Sequence, residues 1–369
     1  MKKVLIAPRK YVQGRGVLGE LGQYLKPLGR KPLVLWDPVV KQIVESTVRQ
    51  SLHGAGLEMV EAEFAGEASA AERTRVGALA VQGQADVAVG IGGDKVLDVA
   101  KAVAVDQQLA MVTCPTIASN DSPTSAASVW YDENHSFINF ECWPANPDLV
   151  LVDTQVVANG PVRAFVAGMG DALSTWVEAE AAFKSRAANI AGGAPTMAAM
   201  AIARLCFETL MEYGLDARRD VELHVVTPAV EKVVEANVLL SGLGFESGGL
   251  ATAHMIGNLL SNVPECQEQG LMHGEKVAFG VITQLCLDDE MDADEKADIV
   301  DFEIEIGLPV TFEELNLKGV TRERLQELAE ACAGPGSLCH NHPFPVTAAD
   351  ILDALFAADA LGRQRRTFA

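Results

Sequence analysis

The stretch Asp86-Val87-Ala88-Val89-Gly90-Ile91-Gly92-Gly93-Asp94-Lys95-Val96-Leu97-Asp98-Val99-Ala100-Lys101 passes from a β-branched apolar run, through a glycine cluster, into helical spacing. Asp86 to Ile91 reads as a buried strand, and Lys95 to about Val105 as the helix that follows it. Glycines at such a handover let the backbone approach a phosphate, and the free N–H groups of the helix start favour an anion. The spacing is neither G-x-G-x-x-G nor a Walker motif, so a plain tight turn explains it about as well.

The same texture extends to both sides. Pro32 to Asp37 reads as a second strand, with a helix from Val39 to Leu52, and Leu109 to Cys114 as a third, ended by Pro115. Strands alternating with helices predict a parallel α/β sheet with ligands at the carboxyl ends of its strands. Val129 to Tyr131 and Ser136 to Phe140, around a polar turn at Asp132-Glu133-Asn134, read as an added hairpin. Asp37 ends its strand where an acid can take an adenosine ribose hydroxyl and repel a 2′-phosphate, favouring NAD over NADP. A solvated strand-end aspartate is the alternative. The loop from Pro115 to Ser125 is dense in small hydroxyl residues and carries one acid, Asp121, a composition that suits either a turn or contacts to a ribose or polyol.

Beyond Asn159-Gly160-Pro161 the pattern turns helical, over Ala172 to Phe183, Met197 to Tyr213, Pro228 to Leu240 and Arg322 to Ala331. The expected organisation is an α/β dinucleotide-binding domain over 1–160 and an all-α domain over 161–369. Each is long enough to bury its own core.

The composition, 49% apolar and 21% charged, is that of a soluble globular enzyme. A net charge of -21, from 29 basic and 50 acidic side chains, excludes nucleic acid and anionic membranes as partners. Part of that charge lies in Asp288 to Glu295, read as the exposed end of one helix and the start of the next. Seven cysteines without a C-x-x-C pair point to a reducing cytosol rather than a disulfide framework. The apolar run at the start is too short for a signal peptide, and the uncharged stretch 187–203 contains Gly192-Gly193 and Pro195, so no membrane span is expected. The expected location is cytoplasmic.

Three candidate metal ligands stand in glycine-rich apolar settings: Asp171 in Gly168-Met169-Gly170-Asp171-Ala172-Leu173, His254 in Gly248-Gly249-Leu250-Ala251-Thr252-Ala253-His254, and His273 in Met272-His273-Gly274-Glu275-Lys276. One carboxylate and two imidazoles leave a fourth position open, as a catalytic zinc requires. Singly, each has a structural explanation. Asp171 reads as an acid opening a helix, His254 as a satisfied core histidine, and His273 as a helix-start residue. Cys266 and His340 are the substitutes considered.

Together these segments resemble the glycerol dehydrogenases of the iron-containing alcohol dehydrogenase superfamily, over nearly the whole chain. The resemblance is carried by 90–95, Pro115 to Ser119, Gly168 to Leu173, Glu235 to Leu250, His273 to Ala278 and His340-Asn341. It implies the dehydroquinate synthase-like fold of that superfamily, with an active site in a cleft between an NAD-binding α/β domain and a helical domain. It implies zinc, or iron(II), held by Asp171, His254 and His273, and a homo-oligomer from dimer to octamer. It implies NAD contacts from Asp37, Gly93, Asp94, Lys95, Thr116, Ser119, Ser125 and Tyr131, with Gly92, Asp98 and Ala127 in the same cofactor site. The three metal ligands, and Asp121 toward a substrate hydroxyl, would carry the oxidation of glycerol or a related vicinal diol to the hydroxyketone. The chain departs from the family pattern at Gly257, where a second histidine is usual and would lie near the metal. It departs also at Asp94, where a third glycine is usual, and at Ala127, where a larger aliphatic residue is common. Two other readings are a dehydroquinate-synthase-like lyase, which demands a basic cluster where the loops near the trio offer little beyond Lys276, and a catalytically impaired relative that retains the metal site.

Overall fold

The computed structural model describes residues 2–132 and 136–367. The chain forms two compact units, each discontinuous in sequence: one comprises Ile6–Phe165 and Arg219–Gly242, the other Met1–Leu5, Val166–Arg218 and Leu243–Ala369.

In the first unit, strands β1 (Tyr11–Gly14), β2 (Pro32–Trp36), β3 (Val60–Glu63), β4 (Val87–Gly92), β5 (Ala110–Pro115) and β8 (Leu149–Asp153) form a parallel sheet in the order β1-β8-β5-β4-β2-β3. Every residue of β2, β4 and β8 is buried, because both faces of the sheet are covered. That is why these strands read as continuous apolar runs rather than as alternating ones. Helices α1 (Leu21–Leu25), α2 (Pro38–Ala55), α3 (Ala70–Gly83), α4 (Asp94–Gln107) and α5 (Thr154–Ala158) connect them. Helix α2 starts sharply because Asp37 caps it, accepting the N–H groups of Val39 at 2.8 Å and Val40 at 3.0 Å with Pro38 at the first position. It stops at Gly56 in the left-handed conformation. The antiparallel pair β6 (Ala127–Tyr131) and β7 (Phe137–Cys142) is the expected hairpin, and Glu133 and Asn134 of its predicted turn lie outside the described residues.

The second unit is helical, as expected. It holds α6 (Val162–Ser185) from Val166 onward, α7 (Met197–Glu222) up to Arg218, the end of α9 (Ser241–Gly248), α10 (Thr252–Leu260), α11 (Pro264–Glu268), α12 (His273–Leu287), α13 (Ala293–Ile306), α14 (Arg322–Cys332) and α15 (Ala348–Arg366). Its core packs Phe279, Phe312, Ile282, Val300, Leu315 and Leu355 among other apolar side chains. The acidic stretch Asp288 to Glu295 spans the end of α12 and the start of α13, where Asp292 caps the Asp294 N–H at 2.8 Å. Helix α8 (Pro228–Glu235) belongs to the sheet unit and runs into a π-helical turn, Ala236–Leu240, before α9.

One expectation is corrected. Asp171 does not open a helix; it stands well inside α6. Gly168 and Gly170, which precede it, are helical too. At Gly170 an added Cβ would lie 2.6 Å from the carbonyl oxygen of Gly274 in α12, so this glycine serves a close helix approach.

All seven cysteines are free. Among the described residues, no helix is long and apolar enough to cross a membrane.

Candidate active site

Helix α6 repeats every 3.6 residues, so Asp171, Ser174 and Glu178 share one face. Helix α10 presents His254 in its first turn, and His273 begins α12. These helices meet at backbone distance. A Cβ on Gly274 would lie 1.8 Å from the carbonyl oxygen of Ala167 in α6, and one on Gly280 would lie 2.2 Å from that of Ala253 in α10. The lack of side chains here is what brings three remote segments together.

The result is a compact donor set. Oδ1 of Asp171 lies 3.4 Å from Nε2 of His254 and 3.6 Å from Nε2 of His273, and the three ligand atoms fall within 4.8 Å of one another. Ligands bonded to one tetrahedral zinc at ~2.0–2.1 Å stand about 3.4 Å apart, so the donor types and their spacing fit a single ion. Asp171 is 1% exposed and the His273 side chain 32%, so the buried anion is reached from the His273 side.

Electrostatics divide the two imidazoles. Burial pulls His254 down, but the charges and hydrogen bonds of Glu178 and Asp171 outweigh it and hold its pKa well above the ordinary value. Burial pulls His273 down to about 4 against the opposing charge of Asp171, leaving it neutral, the form that donates a lone pair. Glu178, fully buried, was not anticipated from sequence. Its Oε1 accepts the N–H groups of Ala251 at 2.8 Å and His254 at 2.9 Å, and its Oε2 meets His254 Nδ1. The signal for it was spacing: an acid seven residues after Asp171 in an otherwise uncharged run.

Cys266 and His340 do not join this group. Cys266 is buried against the Leu315 carbonyl, and exposed His340 meets that of Gly334. Asn341 and His342 instead brace the start of α10, through the Leu250 carbonyl at 2.8 Å and the Thr252 hydroxyl at 2.9 Å. At Gly257 a Cβ would lie 2.7 Å from Val277 Cγ2 and 3.2 Å from Val277 Cα, so this position faces α12 packing.

In the sheet unit, the chain leaves β2 toward β3 on one side and β4 toward β5 on the other, which makes the carboxyl ends of β2 and β4 a topological switch point. Asp37 and the 92–95 turn sit there; a Cβ on Gly92 would come within 3.0 Å of Asp37 Cβ. Gly93 heads α4 without a capping side chain, and of the helix-start N–H groups that of Lys95 is met by the Asp94 carboxylate. Asp94 turns inward rather than to solvent. It accepts Asn120 Nδ2 at 3.1 Å, and burial followed by the charge of Asp98 raises its pKa. Lys95 pairs with Glu67 at 2.7 Å and lies 4.5 Å from the centre of the Tyr131 ring.

Three cofactor candidates are engaged inside the fold. Asp98, 3% exposed, holds Lys101 Nζ, Ser122 Oγ and the Val129 N–H, each at 2.8 Å. Fully buried Lys101 also donates to Ser125 Oγ at 3.2 Å and to the Ala127 carbonyl. Asp98, Ser125 and Ala127 thus knit the 119–127 loop onto α4. Thr116 differs, since its hydroxyl is buried with no hydrogen-bond partner among the described residues. An orphaned donor beside the helix-start amides fits an incoming cofactor hydroxyl or phosphate. Ser119 lies in the same loop, 8% exposed. Asp121, also 8% exposed, accepts Ser241 Oγ at 2.7 Å, and the π-turn residue Asn237 donates to the Ala118 carbonyl at 3.0 Å. A π-turn at this place is a frequent mark of function.

The family model for iron-containing alcohol dehydrogenase matches residues 8–154. A glycerol dehydrogenase of Pseudomonas putida is 46% identical over 98% of this chain and 99% of its own. A glycolaldehyde reductase of Halobacterium salinarum is 44% identical over 99% of this chain and all of its own. The crystal structure of glycerol dehydrogenase from Schizosaccharomyces pombe superposes with a TM-score of 0.95 at 37% identity, over 99% of this chain and 92% of that one. With identity of this order along the whole length, this chain belongs to the iron-containing alcohol dehydrogenase family.

Proposed function

We propose that the protein oxidises glycerol or a related vicinal diol to the hydroxyketone, dihydroxyacetone in the case of glycerol, with NAD as hydride acceptor and a divalent cation held by Asp171, His254 and His273. The observation that carries this reading is the convergence of those three donor atoms within 4.8 Å in a member of this family. When bound, the cation supplies Lewis acidity toward an alcohol oxygen, and NAD supplies the acceptor for the hydride. The carboxylate and imidazole donors suit zinc, and iron(II) takes the same ligands.

The chain's own residues set the conditions. Asp171 provides the buried negative charge, neutral His273 a lone pair on the exposed side, and Glu178 the anchor of His254. The amides at Gly93, Asp94 and Lys95 bind the pyrophosphate, with Gly92 allowing the close approach. Thr116, Ser119 and Tyr131 line the cofactor, Asp37 binds the adenosine ribose, and Asp121 takes a substrate hydroxyl. Asp98, Ser125 and Ala127 support that surface from below. The lyase alternative asks for a basic cluster, and Lys276 is buried at 9% exposure.

A second reading on the same site, reduction of a small hydroxyaldehyde, is favoured by the Halobacterium relative. Zinc-loaded protein is assayed with NAD against glycerol, 1,2-propanediol and simple alcohols, and with NADH against glycolaldehyde. NADH formed preferentially from vicinal diols supports the first reading; faster turnover of the aldehyde supports the second. Stoichiometric zinc with no turnover in either direction contradicts both. We also propose a cytoplasmic location, in keeping with the seven free cysteines, and a homo-oligomer from dimer to octamer. Exposed Met197 and Leu205 on α7 offer apolar surface for the assembly, and light scattering reads its size.

A further inference from the structure

A histidine that binds a metal through Nε2 must carry its proton on Nδ1, and a free imidazole in water does not hold one tautomer. His254 aims Nε2 at Asp171 Oδ1, 3.4 Å away, so the opposite nitrogen decides whether a lone pair is offered. That nitrogen meets Oε2 of Glu178, a carboxylate with no solvent exposure. The other oxygen of Glu178 is fixed by the backbone N–H groups of Ala251 and His254, at 2.8 and 2.9 Å, so the carboxylate cannot turn without breaking the start of α10. Asp171 and Glu178 lie seven residues apart on one face of α6, and the imidazole is held between them.

We propose that Glu178 is a positioning residue that fixes His254 as the Nδ1–H tautomer and directs its Nε2 lone pair to the metal. The inference rests on the ligand set proposed above and adds to it the residue that prepares it. Glu178 acts only through His254; it is an acceptor-only group where the ring must donate.

Glu178→Gln separates this role from structural support. The amide oxygen still accepts the two backbone N–H groups, while the amide nitrogen, a donor, now faces Nδ1. His254 then accepts at Nδ1 and carries its proton on Nε2, where no metal is bound. The full-length chain, stripped of metal and titrated with zinc against a chromophoric chelator, is expected to bind about 10–100-fold more weakly as Glu178→Gln. Its metal-free far-UV circular dichroism and NAD affinity are expected to stay at the unmutated values. Unmutated protein that binds zinc with Glu178→Gln binding equally well overturns the inference and leaves the ligand set standing. Unmutated protein that binds no zinc overturns both. Should Glu178→Gln fail to fold, neutron diffraction of the unmutated zinc-loaded protein decides. A proton on Nδ1 facing Glu178 is expected, and an unprotonated Nδ1 or metal on that nitrogen overturns the proposal.

Discussion

Replacing Gly274 by alanine tests whether the metal centre depends on backbone contact between α6 and α12. The new Cβ would sit 1.8 Å from the Ala167 carbonyl oxygen, 2.7 Å from the carbonyl carbon and 3.0 Å from the Asp171 nitrogen, whereas ordinary contact begins at 3.4 Å. All three are backbone atoms of α6, so no side chain can rotate away. The start of α12, with His273, must therefore retreat by about 1.5 Å, against a tolerance of about 0.2 Å for metal–ligand distances. One of three ligands is lost, so zinc affinity should fall by more than the ~10–100-fold typical of a supporting residue. Overpacking adds a cost of about 1–3 kcal/mol, or roughly 1–4 °C in Tm for a chain of this size. Chelator competition and scanning fluorimetry measure both. Gly54→Ala in α2, where a Cβ meets nothing within 4 Å, is the control; it should gain about 0.5–1 kcal/mol and leave zinc binding unchanged. A Gly274→Ala protein with unaltered zinc affinity and Tm refutes the close-approach argument.

Other outcomes follow from single residues. Asp37→Ser keeps a capping oxygen for α2 but removes the charge, so the NADP-to-NAD dissociation ratio should fall about tenfold, one exposed charge repulsion of ~1–2 kcal/mol. An unchanged ratio in equilibrium titrations would remove Asp37 from cofactor choice. Fully buried Glu303 has no hydrogen-bond partner for either oxygen among the described residues, and burial raises its pKa well above the ordinary value. The native state therefore keeps a proton that the unfolded chain releases above pH ~4.3, and stability falls as pH rises from there toward the raised pKa, by up to ~1.4 kcal/mol per unit. Glu303→Met should thus be stabilising in urea unfolding, more at pH 8 than at pH 5; an equal or smaller gain at pH 8 contradicts a protonated Glu303.

The sheet unit was legible because its strands are buried on both faces. Pro32–Trp36 and Val87–Gly92 are continuous uncharged, largely apolar runs with clear helix starts behind them. The short edge strands Tyr11–Gly14 and Val60–Glu63 left no such trace; the first is half-buried throughout and the second has one buried residue. Pro228 to Leu240 reads as helix from sequence, but nothing local reveals that the segment Arg219–Gly242 around it belongs to the sheet unit; its ties to that unit, such as Asn237 to Ala118, join residues far apart in the chain. For the candidate metal centre, the glycine-rich settings and the family resemblance singled out Asp171, His254 and His273, which do lie together, while the local position of Asp171 was misjudged. Glycine marks both chain breaks and helix contacts, and only the partner backbone tells them apart. Glu178 escaped because an acid on a helix is ordinarily a solvated face, and its full burial follows from α10 packing over it.

The central claim, that Asp171, His254 and His273 form one metal centre, is tested most directly by an anomalous difference map at the zinc edge from crystals of the zinc-loaded chain. One strong peak bonded to Asp171 Oδ1, His254 Nε2 and His273 Nε2 at about 2.0–2.2 Å is predicted. Zinc ligated elsewhere, with these three side chains in hydrogen bonds only to one another, would contradict it.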